Sequence, residues 1–242
     1  MSKHSEAYQF LLPYLTEARR QSLNTVLSQR TRHLTVLLED VYSSQNASAI
    51  LRSCDCFGIQ DVHLAEQRQP YKLHTNITRG AEKWLSIHNH GADSTVRAIA
   101  SLKADGYRVM ATSPHEQASS IDDIDMGAEK IALVFGNERD GISVDAEAHA
   151  DGLVYVPMVG FSESLNVSVT VALCLYSLRN KLLSSGKEWR LNTEEYEQLQ
   201  FDWARKSVKS ADDLLRLKYE KYAELADDMA EFPVVFCDTS TY

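Results

Sequence analysis

What the sequence lacks narrows the problem first. No apolar run among the 242 residues reaches the roughly 20 residues of a membrane span. The first stretch, MSKHSEAYQFLLPYL, has neither the apolar core nor the small-residue cleavage site of a secretory signal, so a cytoplasmic location is expected. Cysteine is scarce: Cys54, Cys56, Cys174 and Cys237 show no disulfide or zinc spacing, and buried free thiols are expected. No G-x-G-x-x-G follows an apolar strand, which argues against a dinucleotide site, and no G-x-x-x-x-G-K-[ST] is present. Gly160-Phe161-Ser162-Glu163-Ser164 departs from the G-x-S-x-G nucleophile elbow, and no histidine is placed to serve it as a base. Positive charge is also short. The net charge of −9 argues mildly against nucleic acid as a partner. It is unevenly spread, however: residues 1–33 carry Lys3, Arg19, Arg20, Arg30 and Arg32 against Glu6 and Glu17, and the run from Glu224 to Glu231 is acidic.

The composition, 44% hydrophobic and 24% charged, is that of an ordinary globular protein. The length suits one full domain with helices added at both ends. The apolar run HLTVLLED reads as a buried strand, and the following VYSSQNASAILRSCDCFGI as a helix. There Asn46 is the expected N-cap, Ile50, Cys54 and Phe57 form the apolar face, Arg52 points away from it and Gly58 ends it. QDVHLAE gives a second strand, completing a βαβ unit. The polar stretch 67–82 reads as a functional loop, made locally basic by Lys72, Arg79 and Lys83. His88 and His90 could share a strand face, but two histidines without a third ligand are better read as a solvated pair than as a metal site. A helix over 93–104 and a strand in GYRVMAT follow.

The chain is organised around residues 130–181. They read as strand, glycine-bearing turn, short helix, strand, second glycine-bearing loop and long helix. Both loops follow the C-terminal end of an apolar strand, where helix N-termini and free backbone N–H groups converge in an open α/β sheet. The helix from Ser164 to Lys181 is apolar nearly all round, so burial on most sides is expected. Three separate segments thus supply a polar constellation: Asn46 and Arg52; Asn137 and Glu138; Ser164 and Asn166. Taken singly each has a plain structural explanation, because Asn and Ser are favoured helix caps.

Together, NASAILRSCDCFGI, LVFGNERDGIS and VPMVGFSESLNVSVTVAL resemble the three motifs of the SpoU/TrmH branch of the SPOUT RNA methyltransferases, in that family's order and spacing. The resemblance covers roughly residues 33–183, with a weaker likeness through Thr78-Arg79-Gly80-Ala81-Glu82-Lys83-Trp84. It implies an α/β fold, a parallel sheet with helices on both faces, whose C-terminal part is threaded into a trefoil knot. The flanking parts would be a helical extension at 1–32, the methyltransferase domain at 33–183 and a second helical extension at 184–242. It implies a homodimer that binds S-adenosyl-L-methionine, uses no metal and completes its RNA site with the second subunit. Carried over by residue, it makes Arg52 catalytic, with Asn46, Glu138, Ser164 and Asn166 beside it. The cofactor pocket would be lined around Thr112, Gly136, Val156, Met158 and Leu165. The flanking helices and the LTVLLEDV opening look most like the members that methylate the ribose of guanosine-18 in the tRNA D-loop. Ribosomal RNA, a tRNA anticodon-loop ribose and an RNA-binding protein that has lost catalysis are the alternatives. Arg19, Arg20, Lys181, Arg190, Arg205 and Lys206 are candidates to hold tRNA phosphates.

Overall fold

The computed structural model describes residues 2–66, 78–91, 94–113, 118–127 and 129–218. Lys72, Cys237 and the acidic run at 224–231 therefore lie outside the described residues. The chain divides into two units, Gln29–Leu191 and Met1–Ser28 with Asn192–Tyr242, the second helical over its described residues.

The larger unit is built on a sheet of seven strands: β1 (Leu34–Glu39), β2 (Asp61–Ala65), β3 (Ser86–Asn89), β4 (Tyr107–Thr112), β5 (Ser119–Ser120), β6 (Lys130–Phe135) and β7 (Gly152–Tyr155). The order across the sheet is β3-β2-β1-β6-β4-β7-β5, and every neighbouring pair is parallel. Parallel strands need covered faces, and β1 and β2 are buried at every position. Alternation along β1 sorts its side chains. Leu34, Val36 and Leu38 pack with Ile50 and Cys54 of α3 (Ser44–Cys56) on one face, where a later helix adds Val171, Cys174, Leu175 and Leu178. Leu37 points the other way, toward Ala98, Ile99 and Leu102 of α4 (Ser94–Ala104) and Ala146 of α5 (Val144–His149). Helices thus cover both faces.

The later helix is α6 (Val167–Ser184). Its all-round apolar composition does not mean all-round burial within one chain. Val169, Leu173, Tyr176 and Leu183 are about half exposed. They recur at the spacing of a coiled-coil seam, with Asn180 completing the series.

In the helical unit, α1 (Lys3–Leu11) and α2 (Glu17–Leu27) flank a 3-10 turn at Leu12–Tyr14. Pro13 sits in that turn; Leu11 and Leu15 are buried, while Tyr14 and Ala18 are exposed. A capping box, Asn192 with Glu195, opens α7 (Thr193–Ser207), which buries Leu199 and Trp203, and α8 (Ala211–Lys218) follows.

Several sequence expectations change. Asn46 is not the N-cap of α3: Ser43 caps it by accepting from the Asn46 backbone N–H, and the Asn46 side chain is left for other partners. Ser164 caps nothing either, since Asn166 is the N-cap of α6. Cys54 and Cys174 are buried, and burial pushes both thiols up to about 12. Cys56, two residues further round α3, faces solvent. Lys181 is occupied as well. Its ammonium donates to the carbonyls of Ile121, Asp122 and Ile124, closing a 3-10 turn. Arg205 pairs with Asp212, Arg190 lies over the Trp189 ring, and Arg20 donates to the carbonyls of Leu12 and Leu15.

Candidate active site

The C-terminal ends of β4, β6 and β7 lie side by side, and the loops that leave them surround a cleft of about 590 Å³. That size suits a small-molecule cofactor. The loop after β6 is folded tightly on itself. Asn137 and Gly141 exchange backbone hydrogen bonds at 3.0 and 3.1 Å, and the Asn137 side chain accepts from the N–H groups of Arg139 and Asp140. Gly136 is dictated by this turn: a Cβ there would lie 2.0 Å from the backbone carbonyl of Gly141.

The turn presents Glu138 to the first turn of α3. Its carboxylate accepts from Asn46 Nδ2 at 2.7 Å and from the backbone N–H groups of Tyr42 and Ser43, each at 3.2 Å. Burial pushes the Glu138 carboxyl up, but the bonds from Asn46 and the backbone outweigh it and hold the carboxyl below the ordinary glutamate range. Asn46 Oδ1 in turn accepts from Asn166 Nδ2 at 3.1 Å. Asn166 Oδ1 accepts from the Ser168 N–H, starting α6. One relay, Glu138–Asn46–Asn166, therefore ties the three polar segments together at the mouth of the cleft.

The other candidates fall into two groups. Thr112, Gly136, Val156, Met158, Ser164 and Leu165 all line the cleft. Thr112 Oγ1 is turned onto the carbonyl of Val134, while Met158 and Leu165 offer half-exposed apolar surface. Ser164 is exposed and keeps its hydroxyl free of bonds among the described residues. Apolar walls with a polar rim of backbone groups suit an adenosine flanked by a short charged chain, so the residues present fit S-adenosylmethionine. Arg52 stands apart. It is exposed on α3, does not line the cleft and makes no hydrogen bond or ion pair with the described residues. Sequence reasoning missed the contributions of the Tyr42 and Ser43 backbone, which carry no side-chain signal.

Residues 33–176 match the model of the SpoU rRNA methylase family. The chain belongs to that family. A tRNA (guanosine(18)-2′-O)-methyltransferase of Borreliella burgdorferi is 34% identical over 83% of this chain and 90% of its own length. The solved A. aeolicus TrmH/SpoU tRNA modifying enzyme superposes with a TM-score of 0.72 at 29% identity, covering 80% of this chain and 98% of that one. An AdoMet-bound rRNA methyltransferase from Sinorhizobium meliloti superposes with a TM-score of 0.56 at 25% identity, over 66% of this chain and 60% of that one. The matched range takes in all three segments joined by the relay. No helix among the described residues is long and apolar enough to cross a membrane.

Proposed function

We propose that this SpoU methylase transfers a methyl group from S-adenosyl-L-methionine to the ribose 2′-OH of a tRNA nucleotide, guanosine-18 of the D-loop, in the cytoplasm. The observation that carries the reading is the Glu138–Asn46–Asn166 relay at the mouth of a cofactor-sized cleft. The guanosine-18 activity named for the Borreliella relative supports the target. Residues 33–183 act as the methyltransferase domain, knotted as a trefoil, with 1–32 and 184–242 as helical extensions.

Bound S-adenosylmethionine supplies an electrophilic methyl group on sulfur, so the chain's own task is to place and activate the ribose oxygen. The ribose oxygen would take the methyl carbon as its bond to sulfur breaks, releasing S-adenosylhomocysteine, and the hydroxyl proton would pass to solvent water. Thr112, Gly136, Val156, Met158 and Leu165 bind the cofactor, and Gly136 lets the loop after β6 fold close enough to wall it in. Ser164, on the same loop as Asn166, orients the 2′-OH for in-line attack, which lowers the barrier by several kcal/mol through positioning alone. Glu138 stays ionised and fixes Asn46, and Asn46 fixes Asn166. The planar, five-donor fork of Arg52 suits a grip on the neighbouring RNA phosphate and stabilisation of the developing alkoxide.

The protein works as a homodimer. The half-exposed seam of α6 and the fully exposed Val159 and Phe161 of the loop after β7 supply apolar surface for a second copy. Arg52, exposed and without a partner among the described residues, fits a site that the second subunit completes.

The test is a methyl-transfer assay with purified protein, S-adenosylmethionine and unmodified tRNA transcripts, followed by mass mapping. A 2′-O-methyl on the D-loop guanosine is expected. Methylation of another tRNA ribose, or of ribosomal RNA alone, would keep the chemistry and overturn the target. Cofactor binding without transfer to any RNA would overturn the enzyme reading.

A further inference from the structure

The relay is one attachment of the loop after β6. Another is Glu39, the last residue of β1 and 2% exposed. Its carboxylate accepts from the Ser143 N–H at 2.7 Å, the Ser143 hydroxyl at 2.6 Å and the hydroxyl of Thr95 at 2.6 Å. Among the described residues it has no cation. A buried carboxylate is tolerated on such terms only because several donors converge on it. Ser143 in turn caps α5 by accepting from the Ala146 N–H.

Set side by side, the segments 39–46 and 138–143 run in opposite directions and are joined at both ends. Glu39 of the first reaches Ser143 of the second, and Glu138 of the second reaches Tyr42, Ser43 and Asn46 of the first. Between the two joints lies the turn that walls the cleft. Glu138 holds one end of that turn and Glu39, through Ser143, the other.

We propose that Glu39 is a positioning residue for the cofactor loop: it pins Ser143 so that residues 136–142 keep the shape that receives S-adenosylmethionine. The cofactor half of this proposal rests on the methyltransferase reading; the loop half does not.

The change that tests it is Glu39→Gln. It keeps the volume, but the amide nitrogen must face two hydroxyls, one of which already accepts from Ala146. Two readouts separate the possibilities. Arg139 is exposed within the turn, so trypsin reports loop opening directly. Cleavage at Arg139 is expected to rise about tenfold in the variant, with cleavage at Lys130 in β6 unchanged. The KM for S-adenosylmethionine is expected to rise about tenfold with kcat little altered, because the loop pays its ordering cost on binding. Ser143→Ala should do much the same, and the double variant no more than either alone. A purely structural role would lower thermal stability while leaving the Arg139 cleavage rate and the KM of the folded fraction at wild-type values, and that result overturns the proposal. Should the wild-type protein fail to bind S-adenosylmethionine, the functional reading falls, and proteolysis at Arg139 still decides whether Glu39 holds the loop.

Discussion

Two polar clusters sit on the same parallel sheet, one at the ends of β6 and β7 and one at the β2–β3 edge. At that edge Asp61, 5% exposed, accepts from His88 at 2.8 Å and pairs with Arg32 at 3.2 Å. His63 and His90 share a ring-nitrogen hydrogen bond of 2.9 Å, and His63 stacks on His88 and His90 at 4.6 and 5.2 Å. Rings stacked face to face do not aim three nitrogens at one point, and among the described residues no group of side chains here could hold a metal ion. The relay of Glu138, Asn46 and Asn166 is hydrogen-bonded too, but it borders a cleft where the Ser164 hydroxyl is free of bonds among the described residues. The density of polar side chains does not separate the two. What points to chemistry at the relay is the cleft beside it and the Ser164 hydroxyl, free of bonds among the described residues.

The largest effect expected from breaking this contrast comes at Gly136. Gly136→Ala drives a methyl group into the Gly141 backbone, and a loss of about 3 kcal/mol in urea unfolding should accompany loss of transfer. A stability within about 0.5 kcal/mol of wild type, the spread of neutral surface changes, would mean that the turn is not as tight as described. Next come two paired changes. Asn46→Ala removes the middle of the relay and should lower methyl transfer about 100-fold while the melting temperature moves little. His88→Ala takes one partner from buried Asp61 and should cost about 2 kcal/mol of stability while transfer stays within about twofold of wild type. Similar losses of activity from both would erase the distinction between the clusters.

Acid should separate the clusters as well. Burial, with the neighbouring His88 adding to it, pushes His63 down to about 3. The unfolded chain takes up its proton near the ordinary value of about 6.5, so the folded state binds fewer protons in between. Stability from this group is complete above about 6.5 and falls as pH drops toward 3, by up to about 1.4 kcal/mol per pH unit. Replacing His63 with Phe should flatten that part of a denaturation series, and an unchanged slope would assign it elsewhere. Glu138 should act lower and more weakly. Its carboxyl is held below the ordinary range, so its bonds persist at neutral pH and fail only as pH falls through the folded-state value. The smallest change is Arg52→Lys, which keeps the charge and loses the fork. A clear drop in kcat is expected, and near-normal turnover would show that the guanidinium geometry is not needed.

Much of this was legible in the chain itself. Runs such as LTVLLE and IALVF, too short for helices and buried throughout, announced central parallel strands. The three polar segments were visible as candidates because each follows or opens an element. Their joining was not. Asn46 and Asn166 are 120 residues apart, and only the strand order brings β1 beside β6 and β6 beside β4. Local preference even misled at Asn46, where capping by Ser43 frees the amide for Glu138 and Asn166. The two-residue β5 and the 3-10 turn at Ile121–Asp123 gave no periodic signal, and they in turn consume Lys181. The basic residues that looked available in sequence were partly spent on carbonyls and carboxylates, which composition does not record.

The measurement that bears most directly on this account is amide hydrogen exchange of the whole protein with and without S-adenosylmethionine. Slowed exchange confined to residues 136–142 and 156–166 is the expected result, with β2 and β3 unchanged. Protection at the β2–β3 edge instead, or none at the cleft under saturating cofactor, would contradict the placement of the chemistry between β4, β6 and β7.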